Sequence, residues 1–272
     1  MDPGVTLTVT GAVATVTIDR PATRNAIDRT TMAEFGGVLD VVEEHLDRGD
    51  VRVVAVRGGG DRVFISGGDL KELAQIRSLA DAQAMSRTMR SCLDRLATLP
   101  APTVALLNGH AMGGGAEVAV ACDMRLAADD IRIAFNQVAL GIMPAWGGVE
   151  RLTGLVGRGR ALQLLLTGTP LTAAEAGAHG LVETVVPRRD FDTAAAQLLA
   201  QLAAVPAVAG RGIKALVGLV APPSAPEHEA VATTAFAHAW VAEDHWAAAA
   251  AAEAARATRP KAGSVARAAA AE

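Results

Sequence analysis

Two short runs restrict this chain more than anything else in it. Val51–Val56 (VRVVAV) and Thr103–Leu107 (TVALL) are apolar at nearly every position, and each runs on into glycine. A strand with no polar face has nowhere to meet water. Such strands are buried on both sides, as in a parallel sheet covered by helices. The opening of the chain behaves differently. Val5–Thr10 and Val13–Asp19 alternate apolar and polar residues around Gly11 and Ala12, which predicts a hairpin. Met32, Phe35, Leu39, Val42 and Leu46 recur at helical spacing and predict an amphipathic helix ending near Gly49. A glycine-rich loop is expected over residues 58–68. Met85, Met89, Cys92 and Leu96 mark a further helix, stopped by Pro100. Strands are expected at Met124–Ala127, Ile131–Phe135 and Leu181–Val186, and a helix across Ala161–Leu166. After Phe191 the strand signal ends, and the remainder reads as helix punctuated by Pro206, Pro222, Pro223 and Pro226. The fold class is therefore α/β, with a core over residues 1–195 and an all-helical region over 196–272.

Composition narrows the function. Half the residues are hydrophobic (51%) and 20% are charged, as in a globular protein. Charges of 25 basic and 29 acidic leave a net of -4, without the basic excess of a nucleic-acid protein. Cys92 and Cys122 lack paired spacing, so neither a disulfide framework nor a zinc site is expected. His179, His228, His238 and His245 show no metal-ligand spacing. The first residues carry no basic stretch followed by an apolar one, and no apolar run is long enough for a membrane span. A cytoplasmic protein is expected.

The chemistry concentrates in Asn108–Asp123, NGHAMGGGAEVAVACD. A buried strand ends here and a helix is expected to begin near Gly115 or Ala116. The first N–H groups of a helix lack internal partners and lie at its positive end, and glycines let a ligand approach them. Gly113–Gly115 can thus hold an anion, and Glu117, in the same first turn, can serve as an ionised general base beside an oxyanion hole. Two plainer readings stay open: glycines placed for packing, and a glutamate that only complements the helix dipole. A dinucleotide fingerprint lacks its spaced glycines, and GRGR at Gly157–Arg160 does not supply them. A second junction, VFISGGDLKEL at Val63–Leu73, repeats the arrangement with Gly67 and Gly68 and a helix cap at Asp69. Two backbone donors from two loops suit a carbonyl that becomes an enolate. Ser66 has no nucleophile-elbow context, and His110 is read as structural.

Five stretches together carry a family resemblance. They are RPATRNAI (Arg20–Ile27), FISGGDLKE (Phe64–Glu72), NGHAMGGGAEVAVACDMRLA (Asn108–Ala127), LGIMPAWGGVERL (Leu140–Leu152) and LTGTPLTAAEAGAHGLVETVVP (Leu166–Pro187). The chain resembles the crotonase, or enoyl-CoA hydratase/isomerase, superfamily over about its first two thirds. AWVAEDHW (Ala239–Trp246) is similar to the family's terminal helical region, more weakly. The resemblance implies a spiral of ββα units with a C-terminal trimerisation region, trimers that pair into hexamers, and acyl-CoA thioester substrates. Coenzyme A would arrive as part of the substrate, with no metal and no other cofactor. The oxyanion hole maps onto the N–H groups of Gly68 and Gly114, and the catalytic glutamate onto Glu117. Thr23, Arg24, Asn25, Ala26 and Lys71 fall where the family meets coenzyme A. Ser66, Gly67, Asp69, Leu70 and Gly113 complete the two junctions, and Trp146 is expected to line the acyl pocket.

The pattern breaks at one place. Hydratases of the family usually carry a second glutamate, and alignment on LGIMP puts Gln137 there. An amide exchanges no proton at neutral pH and can only orient a water. Ala145 stands where some relatives place an aspartate. Hydration of a 2-enoyl-CoA is the first expectation, double-bond isomerisation through Glu117 alone the second, and acyl-CoA binding without chemistry the third. Glu150 is a further acid that could reach the site, against the plainer reading of a solvent-facing helix residue.

Overall fold

The structure is a computed structural model that describes residues 3–220 and 226–257. Pro222, Pro223 and residues 258–272 of the expected helical region lie outside the described residues. The predicted hairpin forms: β1 (Val5–Thr10) and β2 (Val13–Ile18) pair antiparallel, with Val5 opposite Ile18. The predicted amphipathic helix is α1 (Arg29–Arg48). Asp28 caps it by accepting the Thr31 N–H at 2.8 Å, and Gly49 ends it in the left-handed conformation that glycine adopts without steric cost.

A repeated unit follows. β3 (Val53–Gly58) turns into β4 (Val63–Ile65), β5 (Thr103–Leu107) into β6 (His110–Met112), and β7 (Met124–Ala128) into β8 (Arg132–Ala134). The first member of each pair joins a six-stranded sheet of order β1-β2-β3-β5-β7-β10, and the second a four-stranded sheet of order β4-β6-β8-β9. β9 spans Leu171–Thr172 and β10 Thr184–Val186. Neighbours pair in parallel except β1 with β2 and β8 with β9. Helices close the units: α2 (Leu70–Leu73) and α3 (Leu79–Thr98) after β4, α4 (Gly114–Ala121) after β6, and α5 (Gly148–Val156) with α6 (Arg158–Thr167) after β8. This is a spiral of ββα units. Val53–Val56 and all of β5 are buried, as their unbroken apolar character requires. α7 (Ala173–Ala178), α8 (Phe191–Ala204), α9 (Ala207–Val220), α10 (Pro226–Val241) and α11 (Glu243–Ala257) complete the described chain. Among the described residues no single helix is long and apolar enough to cross a membrane.

Three expectations are corrected. The stretch 58–68, read as loop, contains strand β4, whose three residues are too few to show alternation. The last strand is confined to Thr184–Val186, because Leu181 and Val182 are used as buried packing ahead of it. Asp69 stands at the start of α2, but its side chain caps nothing; it faces Arg20 at 3.6 Å instead.

The corners between the two sheets are pinned by one amide. Asn108 accepts the Gly58 N–H at 3.1 Å and donates to the carbonyls of Gly58 (2.8 Å) and Gly60 (2.6 Å), tying the β5–β6 corner to the β3–β4 corner. Asn108 is 2% exposed. Asn108→Ala strands three backbone groups, and we expect it to lower the unfolding free energy by about 2–4 kcal/mol. A urea titration checks this; an unchanged midpoint would refute it.

Candidate active site

Both glycine junctions open into one cavity of about 680 Å³. They leave adjacent parallel strands, β4 and β6, and so start α2 and α4 side by side. Gly67 has a φ of +104°, and a Cβ there would stand 3.4 Å from the Gly114 nitrogen. The Ile27 N–H donates to Gly67 O and the Asp69 N–H to Ile27 O, both at 2.8 Å. Between them the Gly68 N–H meets no acceptor among the described residues. Gly114 is the first residue of α4, so its N–H has no helical acceptor either. Two free backbone donors therefore face one cavity from neighbouring loops.

Glu117 lies one turn into α4 and is 2% exposed. Its carboxylate is held from three sides. Oε2 accepts the N–H groups of Trp146 (2.7 Å) and Gly148 (3.0 Å), and Oε1 accepts from Gln137 Nε2 (2.9 Å). Bare backbone makes this fit possible. A Cβ on Gly148 would lie 2.5 Å from Glu117 Cγ, and one on Gly114 would lie 2.1 Å from the Trp146 ring. Helix position alone predicts an ionised Glu117. Burial reverses that: it pushes the carboxyl up to about 7, against the opposing pull of Gly148, Trp146, Gln137 and the Arg151 charge. The group thus sits near neutrality, where it can both take and return a proton.

The turn that supplies two of these donors is itself anchored. Arg151, buried, donates to Trp146 O at 3.0 Å and ion-pairs with Asp94 of α3. Arg90, also buried, pairs with Asp94 and, at 2.5 Å, with Glu150. Glu150 therefore neither reaches the cavity nor faces solvent; its side chain is 11% exposed and committed to Arg90. His110 is structural: its Nδ1 accepts the Arg132 N–H at 3.0 Å, and it stays outside the cavity.

Every sequence-predicted site residue lines the cavity except Asn25. Asn25 is 1% exposed, and its amide is consumed by the backbone. Oδ1 accepts the Arg20 N–H (2.9 Å), and Nδ2 donates to the carbonyls of Gly59 (3.0 Å), Val63 (2.8 Å) and Phe64 (3.2 Å). Its neighbours Arg24 and Lys71 are exposed on the lining, with no ion pair among the described residues. Sequence reasoning missed Met85, Phe236 and Trp240, apolar wall residues from α3 and α10. Trp240 lies within AWVAEDHW, whose apolar residues were the one signal available. No cluster of three His, Cys, Asp or Glu among the described residues could hold a metal ion. We expect Asn25→Ala to lower stability by about 2 kcal/mol or more while leaving acyl-CoA affinity within about twofold in the folded fraction. Thermal melts and a binding titration check this, and a selective loss of affinity at unchanged stability would contradict it.

Comparison with known proteins agrees with this geometry. The sequence model of the enoyl-CoA hydratase/isomerase family matches residues 8–246. The chain is 37% identical over 176 residues to a short-chain-enoyl-CoA hydratase of Clostridium acetobutylicum, a match covering 65% of this chain and 66%, just under two thirds, of that protein. It is 37% identical over 193 residues to an enoyl-CoA isomerase/hydratase of Mycosarcoma maydis, covering 69% of each. The crystal structure of an enoyl-CoA hydratase from Mycobacterium avium subsp. paratuberculosis superposes with a TM-score of 0.82 at 28% identity, over 91% of this chain and 98% of that one. With its ββα spiral, its paired glycine junctions and its buried glutamate, the chain belongs to the enoyl-CoA hydratase/isomerase family.

Proposed function

We propose that this chain is an acyl-CoA enzyme that stabilises a thioester enolate and adds water to a 2-enoyl-CoA. One observation carries the reading: a buried carboxyl poised near neutrality stands beside two free glycine N–H groups in a single cavity. The thioester oxygen would sit between the Gly68 and Gly114 N–H groups. Charge that develops there during reaction meets donors already in place, the condition under which such donors lower a barrier most. Glu117 moves the proton. The cationic side chains of Arg24 and Lys71 on the lining suit the phosphates of coenzyme A. Assembly into homotrimers or hexamers belongs to the same reading, supported by α9, where Val208, Leu216 and Leu219 are 87%, 65% and 80% exposed.

A specific feature favours a second reading. Gln137, the residue hydrogen-bonded to Glu117, cannot exchange a proton, which leaves Glu117 without a second acid as its partner, as a double-bond isomerase needs. Incubation with crotonyl-CoA in heavy-oxygen water separates the two. Label in a 3-hydroxyacyl product supports hydration, and its absence favours isomerisation.

Glu117→Gln keeps the shape and removes the base. We expect kcat/KM to fall by about 10²–10⁴ with the fold intact by circular dichroism; wild-type activity in the variant would end the proposal. In the wild type, kcat/KM should rise with pH through a midpoint near 7, because only ionised Glu117 accepts a proton. Stability runs the other way. The folded pKa of about 7 lies above the ordinary 4.5, so the folded state binds more protons across that interval. The stabilising preference for the neutral form is complete below pH 4.5 and lost as pH rises through 7, a change of about 3 kcal/mol. Paired melts of wild type and Glu117→Gln should therefore diverge between pH 5 and about 8, with the wild type losing more.

A further inference from the structure

The cavity has an open end and a blind one. Arg24 and Lys71, both exposed, mark its mouth. Met85, Ala145, Phe236 and Trp240 also line it, yet each is 6% exposed or less. Side chains that border a cavity while sealed from solvent close it. All four are apolar, so a hydrocarbon tail tethered to coenzyme A at the mouth would run toward them.

The blind end begins close to the base. Ser86, next to Met85 on α3, donates through Oγ to Ala145 O at 3.3 Å. The following residue, Trp146, gives its N–H to Glu117 at 2.7 Å. The Trp146 ring covers Gly114 so closely that a Cβ there would meet it at 2.1 Å. α3 thus packs directly on the turn that holds the base, and little depth is left for an acyl tail. The end wall is also fixed. Trp240 Nε1 donates to Ile76 O at 3.1 Å, and Gln83 of α3 donates to Thr234 Oγ1 of α10 at 3.0 Å. The Trp240 ring is packed among Phe236, His245 and Trp246, with centroids 5.4, 4.6 and 5.5 Å away. A longer tail could advance only by turning the indole out, which would break a buried hydrogen bond and three ring contacts.

We propose that Trp240, backed by Met85, is a stop that limits this enzyme to short-chain acyl-CoA thioesters. This rests on the enolate reading above and names its substrate class. Neither residue supplies a proton or a hydrogen bond to the reaction. Together they decide which acyl groups can bring their thioester oxygen to the Gly68 and Gly114 N–H groups. A tail too long for the pocket holds that oxygen short of the donors, so the selection appears in kcat/KM.

The test reads a ratio. The kcat/KM values for crotonyl-CoA and 2-decenoyl-CoA are measured by hydration or, if neither is hydrated, by isomerisation of the 3-enoyl counterparts. Both come from one preparation, so partial misfolding cancels. We expect wild type to prefer the short substrate by about 10²-fold or more. Trp240→Ala should raise the long-to-short ratio by about tenfold or more. Met85→Ala opens the same wall from α3 and leaves the indole on Ile76 O; it should raise the ratio by about threefold or more. Trp240→Phe keeps a ring at the wall and should keep the preference for the short substrate. A wild type that turns over both lengths equally, or a ratio unchanged in every alanine variant that folds, would overturn the proposal and leave the enolate reading standing. A wild type inactive on both lengths in both reactions removes the two together.

Discussion

The burial of one carboxylate sets the terms for the rest of the site. A glutamate in water is too weak a base to remove a proton beside a thioester, and a glutamate sealed in an apolar interior would stay neutral. Glu117 stands between these limits because three hydrogen bonds favour its charged form while burial opposes it, and burial prevails only as far as about pH 7. Loss of any of the three donors would tip the group further toward its neutral form. The remaining features of the cavity can be read as the means of keeping those donors where they are.

Two of the donors belong to alternate peptide units of one short turn, at Trp146 and Gly148, and a turn without side-chain support would not hold them. Arg151 supplies the support from behind by donating to Trp146 O, and Asp94 holds Arg151 from α3. Arg90 and Glu150 extend this into a partly buried network of four charges between α3 and α5, with Asp94 at its half-exposed edge. Buried ion pairs give little net stability, because desolvation offsets most of their attraction. Deleting one member nevertheless leaves an uncompensated charge, so the geometry is strongly enforced. The network's use here is positional: it places the turn against Glu117 while keeping Glu150 out of the cavity.

What could be read in the sequence was what depends on local backbone chemistry. Apolar runs without alternation placed β3 and β5 in a buried parallel sheet, and glycines ahead of apparent helix starts located both junctions, because an approachable N–H demands a bare backbone wherever it occurs. Properties set by distant partners were not legible. The proton affinity of Glu117 depends on residues 137, 146 and 148, which local pattern cannot bring to it. Asn25 sits inside a stretch that resembles a coenzyme A contact, yet its amide is taken up by carbonyls more than 30 residues away. Glu150 shows the same limitation. A glutamate in the first turn of a helix is ordinarily solvated, and only the folded chain sets buried Arg90 opposite it.

The C-terminal helices add a coupling that no single motif contains. The groups that would touch the thioester come from strand ends and helix starts of the spiral, whereas Phe236 and Trp240 of α10 reach the same cavity from a region of different composition. α10 lies along α3, and just ahead of α3 Trp240 Nε1 donates to Ile76 O at 3.1 Å. Beyond it, His245 Nδ1 bonds Leu140 O at 2.7 Å, and the Arg77 guanidinium stacks 3.6 Å over the Trp246 ring. Leu140 closes the short 3₁₀ turn, Asn136–Leu140, that carries Gln137. The helix that walls the apolar part of the cavity, α10, thus packs through Trp240 against His245 of α11, and α11 braces the turn that presents an amide to Glu117. An acyl chain that displaced Trp240 would strain the seat of His245, and through Leu140 the position of Gln137. The wall and the carboxylate are therefore linked through one packed aromatic cluster of Phe236, Trp240, His245 and Trp246, so that on the proposed reading substitutions there should alter turnover as well as chain preference.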